Sequence, residues 1–516
     1  MLKQIKNVLQ ATPKGSYYES TEEQLQKIQE QFDALFEKDR SLFACSSLLE
    51  STNYAKGVMS HYLLSNPYND EKPDFSLMES WNSLIEDVII LYNLRNMPTA
   101  RAIKNLLFLA GRKDGLDFAR VNNTRTRKII VNYIFGRDDQ SLEYLILKYR
   151  KKIRKLLKHS LGYSDLMRIV HQGKGYKKQF NKYFKAIDNA SSSWFNYKRI
   201  QSILAFLCNI EIEVVYKFDK FNLYKDLVSL AKKGDSEAFQ LKIEANPNII
   251  PIETLEGLRN CFQLDVSLKN ITENSNMSNK QKLRRQRSSK KRDVNVQVDY
   301  KKMSLYDLIK YTFSQAEDEG EINEQELFEA IEYRKEKEQL KTNLGDNVVV
   351  IIDKSDSMKG SKQRPLHPIV NALSIAYTLG DVTILEAGDN EGVFPQGDTC
   401  LATSLIEAVK LNPDTIVVIS DGFENRVKGL FNHVYQELKA RDYRFNLIHI
   451  NPIYAANQKS TSLVKDIEPI AVDNNRMFET HLTLTLLEEK PELARELFIT
   501  KLKNIMGSDN YEKLIQ

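Results

Sequence analysis

The sequence has little cysteine and no long apolar run, and these shortages exclude several classes of protein. Its 516 residues include four cysteines, which lie far apart and form no C-x-x-C pair. A disulfide framework or a structural zinc site therefore has no support, and a reducing compartment such as the cytoplasm is expected. There is no apolar stretch of about 20 residues and no signal-like segment, so we expect neither a membrane span nor export.

The common catalytic motifs are missing too. The chain contains no Walker A loop, no G-x-S-x-G elbow and no H-E-x-x-H helix. Each of these motifs places a nucleophile, a phosphate cradle or a metal at a fixed position, and without them the sequence gives catalysis little support. We therefore expect a protein that is not an enzyme.

What the sequence does have is an uneven distribution of charge. Residues 343–516 contain 18 basic and 24 acidic side chains, a net charge of −6. Because the whole chain has a net charge of +5, the preceding 342 residues have a net charge of +11. A basic module points to a polyanion such as nucleic acid, with a solvated lysine-rich surface as the alternative.

Residues 343–516 alternate between short apolar runs and amphipathic segments. The apolar runs read as buried strands and the amphipathic segments as helices, an alternation that predicts a doubly wound parallel sheet with helices on both faces. The predicted strands are Asn347–Ile352, Val382–Leu385, Thr415–Ser420 and Phe445–Ile450, and the predicted helices are Leu366–Leu379, Leu401–Leu411 and Leu430–Ala440.

Two of the predicted strands end in oxygen-rich segments. The segment Asp353–Met358 reads D-x-S-x-S, and Asp421 follows the strand Thr415–Ser420. Ligands of open α/β sheets bind at the carboxyl ends of the strands. Carboxylates and hydroxyls there suit a hard cation such as Mg²⁺, which takes one or two carboxylates and keeps several waters.

These residues resemble the metal-ion-dependent adhesion site of von Willebrand factor A domains, which uses D-x-S-x-S, a later Thr and a later Asp. The resemblance implies a divalent ion, Mg²⁺ by preference, and a partner carboxylate as its outer ligand. It also implies a ligand set of Asp353, Ser355, Ser357, Thr399 and Asp421. The family usually has Gly-Gly-Thr where this chain has Gly397–Thr399, and Thr403 is the alternative hydroxyl. The alternative interpretation is a domain that binds no ion and keeps the motif because Asp and Ser favour tight turns.

The first 342 residues carry apolar side chains at helical spacing, for which stacked helical hairpins in a HEAT-like ring or solenoid are expected. The clearest segments are Glu22–Leu35, Trp81–Leu94, Thr99–Leu109 and Leu142–Leu157. Residues 270–293 are polar and, from Lys280 to Arg292, strongly basic. They predict a flexible loop or arm that follows an RNA backbone, with a solvated disordered loop as the alternative.

Three basic segments follow each other within the helical part. Arg127–Tyr133 begins with Arg-Lys, Lys148–Arg154 and Lys158 form a basic helix, and Tyr163–His171 reads Tyr-Ser-Asp-Leu-x-Arg-x-x-His. This order is similar to the TROVE domain of the Ro family of RNA-binding proteins, whose chains have this length and also end in a von Willebrand factor A domain. The motif match covers about 45 residues, and the order of domains covers the chain.

The Ro resemblance implies a ring of helical repeats in residues 1–342 and a von Willebrand factor A domain in residues 343–516. It also implies non-catalytic binding of small structured noncoding RNA of the Y type and of single-stranded ends of misfolded RNA, in RNA quality control or as a scaffold for processing. A ribonuclease or another RNA-processing protein would be the partner, and we expect a cytoplasmic monomer. The positions that the resemblance assigns to RNA are Arg127, Lys128, Arg154, Lys158, Arg168 and His171. The alternative is a metal-dependent adaptor whose helical part is a protein-binding solenoid.

Overall fold

The computed structural model describes most of the chain. The described residues are 4–5, 8–9, 11, 20–66, 81–110, 123–172, 180, 183–187, 193–213, 216–290, 296–316, 324–339, 344, 346–361, 364–388, 394–398, 400–424, 426–452, 461–472, 480–481, 484, 491–507 and 511–512.

Helices occupy the described residues before the sheet, as the apolar spacing predicts. They are α1 Thr21–Lys38, α2 Arg40–Ser46, α3 Asn53–Ser65, α4 Ser83–Asn96, α5 Thr99–Leu109, α6 Thr124–Phe135, α7 Asp139–Leu161, α8 Tyr163–Gln172, α9 Tyr197–Cys208, α10 Asp219–Lys233, α11 Ser236–Glu244, α12 Ile252–Phe262, α13 Leu268–Asn274, α14 Asn279–Lys290, α15 Leu305–Ala316 and α16 Glu324–Glu338. No helix in the described part of the chain is long and apolar enough to cross a membrane.

Local sequence sets the helix ends. Ser20 and Glu23 form a capping box at the start of α1, and the Asp138 carboxylate accepts the backbone N–H of Ser141 at the start of α7. Such caps satisfy N–H groups that have no partner inside the helix. Gly162 ends α7 with a φ of +76°, and the chain turns there directly into α8.

A parallel sheet forms the last third of the chain. Its strands are β1 Val348–Asp353, β4 Thr383–Ala387, β5 Thr415–Ile419, β6 Asn446–Asn451 and β7 Ile470–Ala471, while β2 Gly360–Ser361 and β3 Arg364–Pro365 make a separate hairpin. The strand order is β4-β1-β5-β6-β7. The chain first moves outward from β1 to β4 and then returns to β5 on the other side of β1. The carboxyl ends of β1 and β5 therefore form the switch point at which open α/β sheets bind ligands.

Helices cover both faces of this sheet. These helices are α17 His367–Thr378, α18 Leu401–Lys410 and α19 Leu430–Ala440. Alternate residues of β1 point to opposite faces. Val350 and Ile352 pack with α15 and α17, whereas Val349 and Ile351 pack with α18 and α19. Both sets of strand residues are fully buried, which explains the continuous apolar run.

Two segments cross the boundary predicted at residue 342. Helix α15 lies before it, yet Leu305 belongs to the apolar core of the sheet. Helix α20, Pro491–Met506, lies after it, and Phe498 belongs to the core of the helical part. The backbone N–H of Glu50 also donates to Thr480 Oγ1 at 3.2 Å. The end of the chain thus returns to the first helices.

The basic segment predicted as a flexible loop or arm is mostly helical, so that prediction is wrong for its described residues. Helix α13 covers its start and α14 its basic part. Lysine, arginine and glutamine are good helix formers. Lys280 Nζ lies 2.9 Å from Asp307 Oδ1, and Arg285 makes two bonds to Glu256 at 2.7 and 3.0 Å. Acidic residues distant in sequence therefore fix two of its cations.

Candidate functional site

The D-x-S-x-S loop lies at the switch point between β1 and β5. Asp353 is the last residue of β1, and its neighbour Ile352 pairs with Ile419, so Ser420 and Asp421 follow at the adjacent strand end. The backbone N–H of Asp356 donates to the Gly397 carbonyl at 3.0 Å. The loop that precedes α18 is thereby held against the D-x-S-x-S loop.

Asp353 is fully buried and has a hydrogen bond to each carboxylate oxygen. Its Oδ1 accepts the Ser355 N–H at 2.8 Å, and its Oδ2 accepts the Ser420 hydroxyl at 2.6 Å. The Ser355 and Ser357 hydroxyl oxygens lie 2.9 Å apart. Burial raises the pKa of Asp353 and the charge of Asp421 adds to the rise, although the hydrogen bonds from Ser420 and Ser355 oppose it. A positive charge between the carboxylates would relieve both causes of the rise.

Asp421 is buried as well, with 3% of its surface exposed. Its Oδ1 accepts the Phe423 N–H at 3.1 Å, and Asn451 Nδ2 donates to its backbone carbonyl at the same distance. Gly422 has a φ of +86°, and a Cβ there would lie 2.1 Å from the Thr461 carbonyl oxygen. The turn after Asp421 therefore requires glycine.

Two residues that the sequence did not single out help to build this strand end. Ser420 donates to Asp353, and its own backbone carbonyl accepts the Nε2–H of His449 at 3.1 Å. Burial lowers the pKa of His449 to about 4, so this imidazole is neutral at pH 7. The signal for both is a polar residue within an apolar run, since Ser420 continues the fully buried β5 and His449 lies in the buried second half of β6.

The donors that converge here fit a hard divalent cation. Four of the five predicted ligands, Asp353, Ser355, Ser357 and Asp421, lie at this strand end, while Thr399 lies outside the described residues. Thr403, the alternative, is exposed on α18 and donates to Cys400 Sγ at 3.3 Å. Within the described ranges no three His, Cys, Asp or Glu side chains cluster as metal ligands. An ion here would therefore depend on two carboxylates, hydroxyls and water, the donor set typical of Mg²⁺.

The basic helix predicted to contact RNA is divided by a kink. Within α7, Tyr149 departs from helical geometry with φ −121° and ψ 24°. Beside the kink, Lys148 Nζ lies 2.7 Å from Glu253, and Arg150 donates to the Phe206 carbonyl at 2.8 Å while its guanidinium stacks on the Phe206 ring. These two cations hold helices together, so they are not available to a ligand in this conformation.

The cations beyond the kink face solvent. The exposed basic residues of this second half are Lys151, Lys152, Lys155 and Lys158. Arg168 and His171 are exposed on α8, which follows directly after the Gly162 turn. Arg154 is half-buried, and its Nε has no hydrogen-bond partner among the described residues. We call the exposed side of Lys151–Lys158 and α8 the basic face.

One exposed aromatic residue belongs to this face. Tyr163 is 58% exposed, and Lys158 Nζ lies 4.9 Å from the centre of its ring. An exposed ring beside cations offers a surface on which an unpaired base stacks. Tyr163 begins the Tyr-Ser-Asp-Leu segment at the start of α8. An aromatic residue at the start of a basic helix is the sequence signal that could have assigned it to RNA binding.

Arg127 and Lys128 lie on a different helix, α6. Lys128 Nζ is 3.7 Å from Asp87 Oδ2, a buried carboxylate that Arg125 also contacts. Both predicted residues are half-buried. The structure therefore ties Lys128 into a charge network between helices α4 and α6, in contrast to the solvent-facing cations of the basic face.

Comparison with known proteins shows a likeness in structure. No family model matches the sequence, and no curated protein matches it either. The crystal structure of the Deinococcus radiodurans Ro (RSR) protein is similar over 94% of this chain and 99% of that chain, at 13% sequence identity and a TM-score of 0.47. Ro is also the family that the sequence motifs resemble.

Proposed function

We propose that this chain is a non-catalytic RNA-binding protein of the Ro type. In this proposal the helices form a HEAT-like ring, the sheet is a von Willebrand factor A domain, and the ligands are small structured noncoding RNA and the ends of misfolded RNA. The protein would act in the cytoplasm, in RNA quality control or as a scaffold for RNA processing. The observation that carries the proposal is the basic face, where exposed lysines of α7 are followed on α8 by the exposed Arg168, His171 and Tyr163.

The basic face has the chemistry of a backbone-binding surface with room for a base. Lys158 is one helical turn from Arg154, so both cations lie along one side of α7. Lysine acts on phosphate as a point charge, arginine as a two-pronged donor, and His171 as a donor or a stacking ring. Contacts of this kind fix an RNA in place through its phosphates, and Tyr163 adds the stacking contact.

The strand end with Asp353 and Asp421 has a different role in this proposal. With Mg²⁺ bound there, an open coordination position would accept a carboxylate from a protein partner such as a ribonuclease. Phe423 and Val427, on the segment after Asp421, are 56% and 55% exposed. Exposed apolar side chains beside a polar centre are typical of protein interfaces. The same observation favours the second candidate, an adaptor whose helical part binds protein instead of RNA.

Changing Arg154, Lys158 and His171 together to alanine is expected to weaken the binding of a structured RNA roughly tenfold or more near 0.1 M salt. With each phosphate contact that is lost, RNA binding releases fewer counterions. The negative slope of log affinity against log salt concentration should therefore become shallower by about 0.7–0.9 per contact. Filter-binding or gel-shift titrations at several salt concentrations measure both quantities.

The matched control changes two exposed lysines of α10, Lys232 and Lys233, to alanine. This control removes a similar charge away from the basic face and should leave the affinity and its salt slope almost unchanged. Lys158→Ala alone tests the proposal if the triple variant melts early, because Lys158 is exposed. A folded triple variant that binds RNA like the wild type would remove these residues from the interface. A chain that binds no RNA at all would favour the adaptor.

A further inference from the structure

A second basic site lies at the other end of α7. It is a cavity of about 400 Å³ between the helices α5, α7 and α10 and the segment that precedes α14. The cavity is lined by Thr99, Arg137, Gln140, Ser141, Tyr144, Leu145, Lys220, Asn276 and Ser278. Every ionisable group among them except the Tyr144 phenol is a cation.

The two cations of this wall form no ion pair among the described residues, although Asp138 lies near enough to Arg137, and Glu143 near enough to Lys220, for their charges to interact. The Arg137 Nε donates to the backbone carbonyl of Tyr133 at 2.9 Å, and its guanidinium lies 4.5 Å from the Tyr133 ring centre. Burial lowers the pKa of Arg137 and the charge of Arg95 adds to this effect, whereas Tyr133 and the charge of Asp138 oppose it. Lys220 is likewise half-buried and in no ion pair within the described ranges. A half-buried cation that forms no ion pair is only partly stabilised, and an anion in the cavity would stabilise it further.

The neighbouring carboxylates are engaged elsewhere. Asp138 accepts the backbone N–H and the hydroxyl of Ser141 at 2.9 and 2.7 Å, as the cap of α7. Glu143 accepts the backbone N–H of Lys220 at 3.0 Å and does not line the cavity. Neither carboxylate therefore forms an ion pair with a cation of the cavity.

Neutral donors complete the wall. The Tyr144 hydroxyl oxygen accepts Lys148 Nζ at 3.3 Å, which leaves its own proton to donate. Asn276 uses its backbone N–H and carbonyl in hydrogen bonds to Ile250 and Ile252, which leaves its side-chain amide to donate into the cavity. Ser278 precedes α14, and Thr99 is the first residue of α5, so the wall includes two helix starts, where backbone N–H groups favour negative charge.

We propose that this cavity binds a phosphate group, carried either by a nucleotide or by an RNA. Two cations and several neutral donors, from α5, α7, α10 and the segments before α7 and α14, suit an anion that accepts hydrogen bonds in many directions and carries more than one charge. The cavity is larger than a phosphate needs, so it has room for part of the attached molecule. Ser141 and Lys158 are 17 residues apart on α7, about 25 Å along a helix, which makes this site distinct from the basic face.

Titration of the full chain with inorganic pyrophosphate by isothermal calorimetry at low salt tests the site directly. Saturable binding is expected in the wild type, and Lys220→Met should weaken it about tenfold, because a bond to a charged group is lost. Arg137→Gln is the second variant, and its melting curve shows whether it folds. Lys217→Met is the charge-matched control, since Lys217 is exposed and outside the cavity. Absence of saturable binding, or equal weakening by the Lys217 and Lys220 variants, would overturn the proposal.

Competition against bound pyrophosphate then distinguishes the sources. A nucleoside diphosphate that competes identifies a nucleotide, and a 5′-phosphorylated oligoribonucleotide that competes better than its 5′-hydroxyl form identifies an RNA end. Either result supports the phosphate site, whereas binding that neither competitor displaces counts against it. The triple variant of the basic face should still bind pyrophosphate, so the failure of one proposal is separable from the failure of the other.

Discussion

Replacing Arg199 by methionine is expected to lower the free energy of unfolding by about 3–5 kcal/mol, the usual effect of removing one member of a buried charged network. Arg199 is 1% exposed in α9, and its Nε lies 2.7 Å from Asp139 Oδ1. The guanidinium also donates to the backbone carbonyls of Phe135, Trp194 and Arg137 at 3.1, 2.7 and 2.6 Å. Methionine keeps the apolar stem but leaves these three carbonyls and a carboxylate with one fewer donor.

Urea denaturation of the full chain measures this loss. Lys198→Met, a change at the exposed neighbouring position, should alter stability by less than about 0.5 kcal/mol. Arg199→Lys should fall in between, because an ammonium retains the charge but not the planar fork that reaches several acceptors at once. If Arg199→Met were no more destabilising than Lys198→Met, the network would contribute specificity and not stability.

The importance of Arg199 could not be predicted from the sequence, whereas the elements around it could. Apolar spacing predicts the helices, and the run Val348–Ile352 predicts a strand buried on both faces. A single arginine within an amphipathic helix looks like a surface residue. Apart from the nearby Trp194 carbonyl, its acceptors lie 60 to 64 positions earlier, and no local pattern indicates that they meet.

The same limit applies to the basic helices. Seven cations between Lys148 and Lys158 look equivalent in the sequence, but Lys148 is paired with Glu253, 105 positions later. Lys128 is paired with Asp87 in an earlier helix, and Arg285 with Glu256. Composition therefore predicts that the helical part is basic, and only the packing decides which cations remain for a ligand. The expectation of a flexible arm failed for this reason, since two of its cations, Lys280 and Arg285, have acidic partners that its own sequence does not show.

The strand-end site was more predictable, because topology alone brings its parts together. The sequence places Asp353 and Asp421 at the ends of two predicted parallel strands, and such ends meet at one edge of a sheet. It does not say that these strands are neighbours, nor that Ser420 donates to Asp353. The predicted role of Thr399 stays a prediction, since that residue lies outside the described ranges.

Mg²⁺ is expected to stabilise the full chain, and Asp353→Ala should abolish that response. Two buried carboxylates at one strand end repel each other, and a divalent ion bound in the folded state offsets this repulsion. Binding to the folded state alone raises the free energy of unfolding by about 2.7 kcal/mol when the ion concentration is 100 times its dissociation constant. The melting temperatures of the wild type and of Asp353→Ala are measured in EDTA and at increasing concentrations of Mg²⁺, Mn²⁺ or Ca²⁺.

The readout for Asp353→Ala is the difference between the metal-loaded and metal-free melting temperatures, since the substitution itself also removes an acceptor from Ser355 and Ser420. Asp381→Ala is the matched control, because Asp381 is an exposed carboxylate before β4, at the opposite edge of the sheet. This variant should respond to Mg²⁺ like the wild type.

The full chain is the right sample, since α15 and α20 connect the sheet to the helical part. RNA affinity should remain nearly unchanged in Asp353→Ala, because the basic face lies on other elements. If none of the three ions changes the melting temperature of the wild-type protein, the D-x-S-x-S loop is a turn that binds no ion. Asp353 is then held by its two hydrogen bonds alone.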